Sequence, residues 1–349
     1  MVVRGPTPGG PLSHATGAGD APDTGAASAR DGDPHRGGGT HSSGGTSLIV
    51  EGGFYGPGSE AWRLNREAML LLGAGPRALL LQIAHPLVAA GVADHSDFRA
   101  DPWARLSGTL RSYLRIVYGT ADAARGEIRR LNELHRGIRG DVTEPAARRR
   151  HGSRYSALDP DLALWVHATL VDSTMAAYDA WLAPLSRADR ARYYEETLPV
   201  GRAFGIAASK LPRDLAAFEA YLDEMLTPGG PVEVGDVARE LADSILHPPL
   251  GTAVAAAGWP FSRVASIADA IPSRAYGWLF WPSIGLLPAR IRDEYGLPWG
   301  IRQRATAAWL VATWQAWRPM LPPTFRQMPQ ALRADRRVGA GATPGLLEA

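Results

Sequence analysis

The chain has 349 residues, 45% of them hydrophobic, enough to bury one large core or two modest ones. Its formal net charge is only +2, with Lys210 the single lysine, so a broad nucleic-acid surface is not indicated. The absence of cysteine excludes disulfides, iron–sulfur clusters, thiolate zinc sites and thiolate-ligated haem, leaving His, carboxylate, Tyr or Met to hold any metal.

Residues 1–46 are dominated by Gly, Ala, Ser, Thr, Asp and Pro. Such a segment cannot offset its ordering entropy by burying apolar surface, which predicts a disordered leader. It also lacks the apolar run of about 7–15 residues that marks a secretory leader, and this predicts a cytoplasmic protein.

From about Gly52 onward the punctuation is helical. Asp101-Pro102 and Asp159-Pro160 each set an N-cap acid before a proline at the first helical position, and Ser186 with Asp189 forms a capping-box pattern. Apolar residues recur at three and four: Leu106, Leu110, Tyr113 and Val117 form one stripe, and Ala124, Ile128, Leu131 and Ile138 another. Period-two runs of β-branched residues are scarce. The expectation is an all-α fold, a single large multi-helix domain over 47–335 followed by a flexible tail, 336–349. Leu162–Leu182 is apolar enough to suggest a membrane span, but His167, Asp172 and Asp179 make it a core helix. Tyr276–Ile291 is rich in Trp, Phe and Leu and is broken by Pro282 and Pro288, which suits a buried irregular segment or contact with a membrane surface.

Polar residues on these helices form a constellation. His135 falls between Leu131 and Ile138 on an apolar stripe, with Arg139 about one turn later. Ala163, His167, Leu170 and Thr174 share a face, turning His167 inward, while Arg105 and Thr109 sit together one turn apart. A neutral imidazole on a rigid helix can ligate haem iron and leave the opposite face for dioxygen. Arginine can neutralise a propionate, and a threonine hydroxyl can donate to bound oxygen. A histidine on an apolar face also serves as an ordinary hydrogen-bonded core residue.

Rival motifs are weaker. Gly73-Ala-Gly75-Pro-Arg-Ala78 imitates a dinucleotide fingerprint, but Arg66–Leu70 before it is a helix former and no βαβ alternation follows. Trp281-Pro-Ser283-Ile-Gly285 lacks the leading glycine of a nucleophile elbow. No His pair is spaced by four and no Glu-x-x-His occurs, against zincins and ferritin-like di-iron enzymes.

Gln82-Ile-Ala-His85-Pro86 and Val92-Ala-Asp94-His95-Ser-Asp97-Phe98 resemble the opening of the MpaB-type oxygenase and rubber oxygenase (latex-clearing protein) catalytic domain. The ordered motifs that follow resemble the same domain: Arg105-Leu-Ser-Gly108-Thr109, Leu134-His135 with Arg139-Gly140, Tyr155-Ser-Ala-Leu-Asp159-Pro160, Trp165-Val-His167-Ala-Thr169 and Gly285-Leu-Leu-Pro288 with Arg290 and Arg292. The resemblance covers roughly residues 50–330. It implies an all-helical haem b protein acting with dioxygen, with a buried haem pocket. By motif position His135 resembles the proximal iron ligand, Arg105 and Thr109 the distal pair, and His167 a further histidine near the cofactor; Arg139, one turn from His135, is a cofactor-binding candidate from its position on the helix. Gly108 stands where the rubber enzymes carry a lysine, and Ala89 falls near the position of their glutamate base. These departures point away from polymer cleavage and toward a smaller unsaturated lipid, isoprenoid or polyketide-like substrate. His85, His95, Asp94 and Asp97 are then the candidate proton-handling groups, although each has an ordinary structural role open to it, such as satisfying a helix end. The alternative is a cofactor-free helical module that binds lipid or a partner.

Overall fold

The computed structural model describes residues 54–95, 102–247 and 273–339. The elements there are almost all helical: α1 (Glu60–Leu64), α2 (Met69–Ala84), α3 (Pro86–His95), α4 (Pro102–Tyr118), α5 (Ala121–Arg136), α6 (Pro145–His151), α7 (Pro160–Trp181), α8 (Arg187–Ala203), α9 (Leu215–Leu226) and α10 (Asp236–Leu246). A 3₁₀ stretch (Ser273–Phe280) leads into α11 (Trp281–Gly285), α12 (Ala289–Glu294), α13 (Ile301–Trp317), α14 (Pro323–Arg326) and α15 (Pro329–Arg337). The all-α single domain expected from the sequence is the fold observed. One small exception is an antiparallel ribbon, β1 (Arg139–Asp141) with β2 (Arg154–Ser156), in which Gly140 faces Tyr155. The expected N-terminal leader lies outside the described residues, as do Asp101 and most of the C-terminal tail.

Helix ends follow local chemistry. Asp159 caps α7 by accepting the Asp161 N–H at 2.9 Å, and Pro160 takes the first-turn position that needs no donor. Ser186 and Asp189 close a full capping box on α8. Pro86 terminates α2, whose last residues and α3 meet at a bend of 102°. The Gly73–Gly75 motif sits inside α2, so it is helix and not a phosphate loop.

The core is organised by α7 lying along α2. Trp165, fully buried, donates its indole N–H to the Leu81 carbonyl at 3.1 Å. Gly73 allows the close approach, because a Cβ there would fall 2.5 Å from the Trp181 ring. Gly73→Ala is therefore expected to destabilise the chain by roughly 1–3 kcal/mol despite the better helix propensity of alanine. A shift of the urea midpoint, with unchanged slope, measures it. Arg77 of α2 pairs with Asp172 of α7 at 2.7 Å and donates to Ser173 Oγ and the Leu286 carbonyl, both at 2.8 Å. At the other end, Met328 N–H donates to the Arg66 carbonyl and Ala68 N–H to that of Arg326, each at 2.8 Å, strapping the C-terminal segment to the α1–α2 connection.

Leu162–Leu182 is a core helix, α7, and no single helix among the described residues is long and apolar enough to cross a membrane. Within Tyr276–Ile291, Tyr276, Phe280, Ile284, Leu287 and Ile291 are buried, while Trp278 is exposed.

Candidate functional site

Helices α4, α5, α7 and α8, with the α2–α3 corner and β2, line a cavity of about 300 Å³. Its wall includes Leu87, Ile116, Leu131, Ile138, Leu162 and Val166, and no Asp, Glu, Lys or Arg is among its described lining residues. Three of the residues singled out from sequence, Thr109, His135 and His167, line it together.

Each is delivered by helical periodicity. On α7, Ala163, Val166, His167, Leu170 and Val171 recur at three and four and all reach the wall. On α5, capped by Thr120 accepting the Ala123 N–H at 3.2 Å, Leu131 and His135 lie one turn apart. His135 is half-buried in the last turn of α5, and two other lining residues, Thr109 on α4 and Leu158 after β2, are exposed.

His167 is enclosed. Burial without a charged partner lowers its pKa to about 4, keeping the ring neutral at physiological pH. Its Nε2 has no hydrogen-bond partner. Gly201 of α8 lies beside it, and a Cβ there would come within 3.4 Å of that nitrogen. An orphaned neutral imidazole edge, left bare by a glycine, suits a ligand that supplies a metal or a donor.

The remaining candidates are placed elsewhere. Arg139 does not continue α5: Gly137 ends that helix and Arg139 begins β1, exposed and outside the cavity lining. Asp94 and His95 end α3 at the surface. Asp94 accepts the Tyr155 hydroxyl at 2.7 Å, and His95 Nε2 meets the Arg139 carbonyl at 2.9 Å, its ring edge-on to Tyr155. Neither lines the cavity, but Tyr155, which both touch, does. Arg105 belongs to α4, its side chain lying outside the described part, and Asp97 lies outside the described residues altogether.

His85 occupies the α2–α3 bend. Its Nδ1 accepts the Leu87 N–H at 3.3 Å, and its ring faces His151 of α6 with centroids 5.0 Å apart. It does not line the cavity. Burial, reinforced by the His151 ring, lowers its pKa to about 3. The depressed folded value means that its contribution to stability is complete above the unfolded pKa near 6.5 and is lost as pH falls toward 3. The chain is expected to lose roughly 2–3 kcal/mol through this group between pH 7 and pH 4. Urea unfolding at the two pH values measures it, and His85→Gln should flatten the dependence, leaving the part due to His151.

Sequence reasoning missed the tyrosines. Tyr55, Tyr113, Tyr155 and Tyr193 all line the cavity, with Asn65. They come from four distant segments, and the sequence offered only two hints, Tyr113 on the α4 stripe and Tyr155 at the head of a family-like motif, neither read as a site residue.

The donor chemistry of this wall discriminates among metals. Among the described residues no three His, Asp or Glu groups converge to hold a bare cation, whereas haem brings its own four nitrogens and asks the protein for one or two axial donors. Two imidazoles on a wall with no charged side chain among its described lining residues fit that request.

The fold is an all-α domain that encloses a cavity lined by two imidazoles among aliphatic and aromatic side chains. The chain belongs to the family of the ER-bound oxygenase mpaB/B′ and rubber oxygenase catalytic domain, whose sequence profile matches residues 62–317. Among curated proteins it is 24% identical over 239 residues to the uncharacterized protein Rv2237 of Mycobacterium tuberculosis, and equally to Mb2261 of Mycobacterium bovis. Each match covers 67% of this chain and 83% of the relative. No solved structure matches the chain.

Proposed function

We propose that this oxygenase-family chain is a haem b-dependent oxygenase that uses dioxygen on a small apolar substrate, an unsaturated lipid, isoprenoid or polyketide-like molecule. The observation that carries the proposal is the pair of imidazoles, His135 and His167, on a cavity wall with no charged side chain among the described lining residues. His135 would hold the iron, with His167 as the second imidazole near the cofactor. When bound, the haem supplies an iron centre that activates dioxygen.

The chain's own residues set the conditions. The aliphatic wall excludes water from the substrate and disfavours charged ligands. Thr109, one of the exposed lining residues, would donate a hydrogen bond to dioxygen. Arg105 joins it on the strength of the family resemblance, whereas Arg139, exposed on β1 outside the cavity lining, would reach the cofactor only from its solvent edge. Of the four candidate proton-handling groups, Asp94 has a route to the cavity, since the Tyr155 hydroxyl that it accepts belongs to a wall residue. His95 buttresses that pair through its edge contact with Tyr155. His85 faces His151 and would act only through the α2–α3 bend, and the assignment of Asp97 rests on the motif alone.

The test is incubation of haem-loaded protein with an isoprenoid substrate under ¹⁸O₂. The proposal expects the label in the product; turnover with oxygen drawn from water alone would overturn it. One observation favours a second reading, a lipid-binding module. Trp309 and Trp317 on α13 are 58% and 57% exposed, and the Trp278 ring sits 6.5 Å from Trp309, an aromatic surface suited to peripheral membrane contact. A colourless protein that copurifies with lipid would support that reading.

A further inference from the structure

The exposed apolar side chains of this molecule are gathered on one segment. Of the eight large ones that stand exposed among the described residues, six are Trp278, Ile301, Trp309, Trp317, Met320 and Phe325, with Ile301 84% and Met320 71% exposed. Single apolar residues on a surface are ordinary. Five on α13 and the short stretch after it, with the Trp278 ring set against Trp309, make a patch that calls for a partner.

The outer face of α13 has the same character along its length. Ile301, Ala305, Ala308 and Ala312 recur at four, three and four and are all exposed, while Ala307 is the one residue of the helix that is buried. Charge is equally one-sided. Residues 295–334 include five arginines and no Asp, Glu or Lys. Arg318 is committed inward, to Glu67 at 3.0 Å. Arg302 and Arg304 are exposed in the first turn of α13, the end where the helix dipole disfavours a cation, so they do not stabilise the helix.

A patch that is apolar, Trp-bearing and cationic is complementary to a bilayer surface carrying anionic headgroups. A folded protein partner needs holes cut to fit these side chains, whereas a lipid surface is fluid and admits Trp, Ile, Met and Phe alike. The helix does not span such a bilayer: its 17 residues rise about 26 Å, with two arginines in the first turn. It suits a position in the plane of the interface.

We infer that α13 and the segment through Phe325 dock this protein on an anionic membrane surface, with Ile301, Trp309 and Trp317 entering the interface and Arg302 and Arg304 meeting the headgroups. The inference goes beyond both readings of the cavity, since it holds for a haem-loaded chain and a colourless one alike. For an enzyme acting on an apolar molecule, it places the protein on the phase in which that molecule dissolves.

The experiment is co-sedimentation of the full chain, as purified, with vesicles of phosphatidylcholine alone or with about 30% phosphatidylglycerol, at about 0.1 M and about 0.5 M salt. At the lower salt the mixed vesicles are expected to bind at least about tenfold more tightly than the neutral ones, and the higher salt should remove most of that difference. Arg302→Gln/Arg304→Gln and Trp309→Gln/Trp317→Gln should each weaken binding to mixed vesicles by about an order of magnitude, with unchanged circular dichroism. Because the chain has no cysteine, Ala312→Cys carries one environment-sensitive fluorophore, whose emission should shift to the blue on mixed vesicles. Failure to sediment with mixed vesicles would overturn the inference, as would equal binding to neutral ones at the lower salt. Full retention of binding by both double variants, or an unshifted fluorophore on vesicles that carry the chain down, would remove this face from the role. A dimer that the tryptophan variant dissolves, without vesicle binding, would give the face to a second copy and overturn the membrane assignment.

Discussion

His135→Ala is expected to yield a folded chain that purifies with less than about a tenth of the haem of the parent protein and has lost oxygenase turnover, because the axial donor dominates retention of the cofactor. Folding should survive. The residue is half-buried in the last turn of α5 and faces a cavity that already exists, so truncation enlarges that space without opening a new void in the packed core. Leu131→Ala, one turn away on the same wall, is the control and should keep most of the haem. Imidazole added to the His135→Ala protein should restore part of the cofactor spectrum by filling the vacated ligand position. Haem content by pyridine haemochrome and the position of the Soret band measure both effects, and a full complement with an unchanged axial-ligand spectrum would remove His135 from the role assigned to it.

Arg77→Met is expected to destabilise the chain by about 3–5 kcal/mol. The guanidinium is 6% exposed and joins three elements through Asp172, Ser173 Oγ and the Leu286 carbonyl. Methionine fills much of the volume but leaves Asp172, itself only 22% exposed, without its counter-charge. The double variant Arg77→Met/Asp172→Leu is expected to recover a good part of the loss, since removing both partners leaves no unpaired charge. Thermal unfolding of the three proteins decides this. A single-variant loss below about 1 kcal/mol would mean that the group is solvated in solution and that the pair does not clamp α2 to α7.

The parts of this molecule legible in the sequence were those governed by local rules. The Asp159-Pro160 and Ser186/Asp189 starts of α7 and α8 occur where their capping chemistry puts them. The 3.6-residue period was enough to turn Ala163, His167 and Leu170 toward one cavity and to bring His135 to the same wall. What escaped depended on breaks in that period or on long-range convergence. Arg139 was extrapolated along α5, but Gly137 ended the helix and the chain entered a ribbon whose close pairing at Gly140 accommodates the Tyr155 ring. The His85-Pro86 pair, which looked like site chemistry, marks the bend between α2 and α3. The polar cluster of Asn65, Tyr113 and Tyr193 on the cavity wall joins residues up to 128 positions apart, and no spacing rule reaches that far.

The measurement that tests the central claim most directly is the ultraviolet–visible spectrum of the purified chain, oxidised and then dithionite-reduced, with a pyridine haemochrome assay for cofactor content. The account predicts a strong Soret band that shifts on reduction and about one haem b per chain. A colourless chain, expressed with ample haem and taking up none when haem is added, would contradict it.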